Sequence, residues 1–161
     1  MWQWRFFEDL LDYTRMNADD GHASPYATMH TGTLLSPLLK PVSCVFEGSV
    51  LVLHLVGTYT PAELRAAIAA ALGDPDRPRL SGLIADLRFS ESIARRTLGE
   101  VTAIVGFLAY HGSSFANRIA LVVPENSHDT LVVMASADLR TGGIDAATFH
   151  DIVTARAWIR S

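Results

Sequence analysis

A chain of 161 residues has the length of one ordinary domain and can bury most of its apolar surface in a single core. Hydrophobic residues make up 49% and charged residues 19%, a core-forming composition that excludes a disordered chain. The 13 basic and 17 acidic residues give a net charge of −4, and Lys40 is the only lysine, so the clustered cations needed to displace nucleic-acid counterions are missing.

The first zone is an amphipathic helix, residues 1–16. Trp2, Phe6, Leu10 and Tyr13 recur at helical spacing beside Phe7 and Leu11, with Arg5, Glu8, Asp9, Asp12 and Arg15 opposite. These acidic residues interrupt any run resembling a secretory signal core, and disfavour anionic lipid. The helix is expected to dock on the chain's own domain or to exchange within a homodimer. Residues 17–40 turn to Asp, Gly, Ser, Pro, Thr and His without periodicity, the composition of a linker.

From Pro41 onward the signals become regular, and residues 41–161 read as one α/β domain. Val42–Glu47 and Ser49–Gly57 are β-rich runs around Gly48, hence an antiparallel hairpin. The second run is apolar on both faces, as in a sheet covered on both sides. Thr60-Pro61-Ala62-Glu63 has the cap, the first-turn proline and the reciprocal glutamate of a helix start. That helix runs Ala62–Leu72 and stops at Gly73. Leu83–Leu87 is a short buried strand, and Ser92–Tyr110 a helix closed by Gly112. Arg118–Val123 is a buried strand, Ser127–Arg140 a helix ended by Thr-Gly-Gly, Ala147–His150 a last strand, and Asp151 caps a helix through Ile159. The order β-β-α-β-α-β-α-β-α predicts a mostly parallel sheet of about five strands with an antiparallel edge hairpin, flanked by about four helices.

Four stretches in this order resemble the STAS family, in particular its SpoIIAA-like branch. They are Val52–Thr60, Gly82–Arg88 with its Asp-Leu-Arg ending, Arg118–Asn126, and Ala147–Asp151 with Ala155–Ile159. The resemblance spans Val42–Ile159 and implies a cytoplasmic interaction module. Anti-sigma-factor antagonists of this type carry Asp-Ser-Ser-Gly at the helix after the Asp-Leu strand, where a partner kinase phosphorylates the first serine. Here the stretch reads Asp86-Leu87-Arg88-Phe89-Ser90-Glu91-Ser92-Ile93, without that motif, and an ungapped count puts Arg95 near the acceptor position.

The chemistry-bearing residues are few. Ser90 and Ser92 stand where a helix begins; a serine there caps a backbone N–H, and a phosphate would be favoured by the same free amides. Asp86 ends a buried strand at the sheet edge where open α/β sheets bind ligands, with Arg88 in reach as an ion-pair partner. These four are candidate phosphoacceptor or partner contacts. His54, in the most apolar strand, and Phe107 and Leu108, on the apolar helix, are candidate walls of a ligand pocket. Cys44, among Val42, Val45 and Phe46, reads as a buried filler.

No G-x-S-x-G, G-x-G-x-x-G, Walker A or H-E-x-x-H pattern occurs, and the histidines lack metal-ligand spacing, so neither an enzyme nor a cofactor or metal is expected. The longest uncharged apolar helical run, Val101–Tyr110, is too short for the roughly 20 residues of a bilayer span, and stable membrane insertion is not expected. Two functions follow: a non-enzymatic regulatory module docking on a partner protein through the loop and helix after Asp86, or a binder of small hydrophobic ligands or lipids of the Sec14-like type, which the SpoIIAA-like branch also resembles. A cavity behind the apolar helix favours the second; a flat apolar rim at the loop favours the first.

Overall fold

The computed structural model describes residues 40–125 and 130–161. The expected helix over residues 1–16 and the linker up to Leu39 lie outside the described residues.

A tight hairpin starts the domain. β1 (Val42–Glu47) and β2 (Val50–Gly57) pair antiparallel with Glu47 opposite Val50, and Gly48 turns the chain at φ 60°, a left-handed value that glycine adopts without cost. Helix α1 (Pro61–Leu72) follows. Its start is the expected capping box: Thr60 Oγ1 accepts the Glu63 N–H, and the Glu63 carboxylate accepts the Thr60 N–H at 2.7 Å. β3 (Gly82–Ser90), α2 (Leu98–Tyr110), β4 (Arg118–Val122), α3 (Thr130–Thr141), β5 (Asp145–Phe149) and α4 (Ile152–Arg160) complete the order. The sheet runs β1-β2-β3-β4-β5, antiparallel at β1–β2 and parallel elsewhere. This is the mostly parallel five-stranded sheet with an antiparallel edge hairpin that the strand and helix order predicts.

Three boundaries differ from the sequence reading, each for a physical reason. β3 runs on to Ser90 because its pairing with β2 resumes past a bulge, with Val56 opposite Phe89 and Gly57 opposite Ser90. The helix expected from Ser92 begins at Leu98 instead, after a single 3-10 turn over Ile93–Arg95. Its start is a second capping box, Thr97 with Glu100. β5 occupies Asp145–Phe149, earlier than expected, because Asp145–Ala146 already pair with Arg118–Ile119.

Adding each parallel strand on the same side of the last, with crossovers of one hand, leaves the crossover helices on one face. Accordingly Leu51, Leu53, Leu55, Leu83 and Leu121 point into a core closed by Leu64 and Ile68 of α1, Val105 and Leu108 of α2, and Val132 and Leu139 of α3. The alternate residues Val50, Val52, Ile84, Ala120 and Val122 face the other way, against Ala155 and Ile159 of α4. Gly82 keeps that second interface close, since a Cβ there would lie 2.5 Å from Ile159 Cδ1. At the sheet edge, Arg156 of α4 grips Glu47 of β1 with two charge-assisted hydrogen bonds, 2.6 and 2.7 Å.

Candidate functional site

The residues singled out in the sequence divide between the two faces of the sheet. On the α4 face, Asp86 is buried at 3% exposure in the middle of β3, and not at the strand's end as expected, because the strand continues to Ser90. The Arg88 guanidinium donates to both its carboxylate oxygens, Nε to Oδ1 at 2.9 Å and Nη2 to Oδ2 at 2.8 Å, and the Arg88 backbone N–H adds a third bond. His54, paired with Asp86 across β2–β3, places Nδ1 3.8 Å from Oδ2. Burial pushes the Asp86 carboxyl up, but the Arg88 hydrogen bonds and the charges of Arg88 and His54 outweigh it and hold the group below the ordinary carboxylate range. Beside them Phe89, 64% exposed, lies under the Arg88 guanidinium at 5.5 Å and opposite Val56, also exposed.

On the other face, under α1–α3, lies a cavity of about 100 Å³. Its walls are Leu53 and Leu55 of β2, Leu83 and Ala85 of β3, and apolar residues of all three helices; among the described residues Tyr59 and Arg96 are the only polar side chains lining it. It reaches the C-terminal ends of β2 and β3, the position at which open α/β sheets take ligands. Of the expected pocket residues, Leu108 lines it. Phe107 does not: it packs against the same core and meets the His111 ring at 4.6 Å. His54 belongs to the opposite face, because strand alternation turns Leu53 and Leu55 toward the cavity and His54 away from it.

The mouth of the cavity is a polar clasp that sequence reasoning missed. Ser92 does not cap a helix; its buried Oγ accepts the Tyr59 N–H at 2.8 Å and donates to the Tyr59 carbonyl at 3.1 Å. That carbonyl also accepts Arg96 Nη2 at 2.7 Å, and the Arg96 guanidinium stacks 5.0 Å above the Tyr59 ring. Ser90 Oγ shares a 2.8 Å hydrogen bond with the Tyr59 hydroxyl. Burial is the main influence on the Tyr59 phenol and raises it, against the Ser90 bond and the Arg96 charge. Two loops far apart in sequence are thus joined through one residue, and nothing in local spacing announces a contact of that kind. Ser92→Ala leaves the buried Tyr59 N–H without its acceptor and is expected to cost about 1–3 kcal/mol in denaturant unfolding; a change below about 0.5 kcal/mol would mean that the clasp carries little.

Burial pushes the Cys44 thiol up to about 11, so it is protonated at neutral pH and behaves as a filler. Among the described residues no group of three or more His, Cys, Asp or Glu is placed to hold a metal ion, and no helix is long and apolar enough to cross a membrane.

No family model matches the chain, and no curated protein matches it. Among solved structures it is similar to an uncharacterized protein of the DUF3478 family from Shewanella loihica PV-4, described as having a SpoIIAA-like fold. The two are 16% identical over 73% of this chain and 91% of that one, with a TM-score of 0.49.

Proposed function

We propose that this domain is a non-catalytic binding module whose ligand is a small, mainly apolar molecule seated between the sheet and α1–α3. One observation carries the reading: a cavity of about 100 Å³ whose walls, among the described residues, are apolar apart from Tyr59 and Arg96. Such a space is poorly suited to water, which needs several polar partners, and well suited to hydrocarbon. With no nucleophile and base side by side in the lining, it favours binding over catalysis.

Ala135 of α3 faces the cavity, and Ala135→Leu sets an isopropyl group into it. The filled variant is expected to gain about 1 kcal/mol, or roughly 3–5 °C in Tm. Native mass spectrometry of the purified full chain should find a small apolar adduct on the wild type and none on the variant. Equal adducts on both would place the ligand elsewhere.

A second reading is favoured by the Val56–Phe89 rim, where a large aromatic side chain is left in water beside the Arg88–Asp86 pair. A regulatory partner protein docking there would bury Phe89. Phe89→Asp would then abolish the complex at unchanged Tm, whereas an unchanged complex would remove the rim from consideration.

A further inference from the structure

Resting on the cavity reading above, we infer that the ligand is a short-chain carboxylate, with its hydrocarbon in the cavity and its carboxylate on the Arg96 guanidinium. The Arg96 side chain is only 9% exposed, yet it lines an otherwise apolar space. A cation held so far out of water has to be compensated by close anionic or carbonyl contacts. The face of the Tyr59 ring, 5.0 Å away, supplies one compensating contact among the described residues. Nη2 donates to the Tyr59 carbonyl at 2.7 Å, and Nη1 stands 3.6 Å from Glu100 Oε1. The second distance is well beyond the roughly 2.7–2.9 Å of a charge-assisted hydrogen bond.

Glu100 is anchored elsewhere. Its Oε2 accepts the Thr97 N–H at 2.9 Å and the Thr97 hydroxyl at 3.0 Å, completing the cap of α2. These two bonds are the main influence holding its carboxyl below the ordinary range, and the Arg96 guanidinium adds a smaller one. Glu100 therefore keeps its partners whether or not Arg96 turns to a ligand. A guanidinium has more N–H donors than these contacts use, arranged in a planar fork that matches a carboxylate.

Size sets the other half of the ligand. An apolar cavity of about 150 Å³ holds the six carbons of benzene, so about 100 Å³ encloses about four carbons of a chain whose remaining atoms extend toward Arg96. Hexanoate and 1-hexanol share that chain and differ at the head group, which makes them the discriminating pair of probes.

The test is a titration of the folded full chain with each probe, followed through the methyl resonances of Leu53, Val105 and Leu139. Hexanoate is expected to bind the wild type about five-fold or more tighter than 1-hexanol, and Arg96→Met to abolish that preference while leaving 1-hexanol within about two-fold. Glu100→Gln keeps the capping box but removes a negative charge beside the guanidinium. It should tighten hexanoate about two- to three-fold with 1-hexanol unchanged, and it serves if Arg96→Met does not fold. If 1-hexanol shifts the methyls but hexanoate binds no tighter, or Glu100→Gln affects neither probe, the carboxylate assignment is overturned and the cavity reading stands. If neither probe shifts the methyls of the folded wild type, both are overturned.

Discussion

Arg88→Ala is expected to destabilise the domain by about 3 kcal/mol at neutral pH. The substitution leaves Asp86, buried in the middle of β3, without its paired hydrogen bonds at 2.8 and 2.9 Å. His54, 3.8 Å from Oδ2, is then the nearest basic group. Arg88 itself is 30% exposed, which places the cost at the lower end for breaking a buried pair. The pH dependence gives the sign. In the wild type the Asp86 carboxyl is depressed on folding, so its contribution is present above the unfolded value of about 3.9 and is lost as pH falls through the folded value. In Arg88→Ala burial dominates and raises the carboxyl, so the variant recovers stability as the group takes up its proton. The difference between the two proteins should therefore narrow from pH 7 toward pH 3. Asp86→Ala/Arg88→Ala should be more stable than Arg88→Ala by at least about 1 kcal/mol, because no charge is left in the site. Urea unfolding across that pH range measures both; a cost that stays constant with pH would mean that Asp86 is not the origin of the effect.

Leu53→Ala is expected to cost about 3–5 kcal/mol. Leu53 sits in the middle of β2 at 2% exposure and forms part of the cavity wall, so truncation enlarges an existing void. Leu83 and Leu121 border the same space from neighbouring strands and cannot collapse into it without breaking sheet register. The midpoint of urea unfolding should fall at unchanged m-value. A cost under about 1.5 kcal/mol would show that the helices close over the site and that its walls are soft.

The architecture could be read almost entirely from the chain, because its determinants are local. Thr60-Pro61-Ala62-Glu63 encodes a helix start in four consecutive residues, and the two-sided apolar run Val50–Val56 encodes a covered strand. Where two local signals competed, the weaker one misled: Ser92 resembles a cap, but Thr97 with Glu100 makes the reciprocal pair that starts α2. The Asp86–Arg88 pair was also within reach, being two residues apart on one strand.

The cavity and its clasp were not. Whether Leu53, Leu108 and Ala135 fill their shared space depends on how three helices settle on the sheet, a property of volumes in three dimensions that periodicity does not record. The partnership of Ser92 and Arg96 with Tyr59 joins residues more than thirty positions apart. The side of the sheet taken by His54 was legible in principle from the alternation with Leu53 and Leu55, once the buried helices on the leucine face are known.

The most direct test of the cavity as a binding site is calorimetric melting of the full chain with and without 1-hexanol, wild type beside Ala135→Leu. Selective binding to the folded state raises Tm with ligand concentration, by mass action. The wild type should show a rise that continues with the logarithm of 1-hexanol concentration, and Ala135→Leu, more stable at the outset, should show none. Equal shifts in the two proteins, or no shift in the wild type, would contradict a ligand site between the sheet and its three crossover helices.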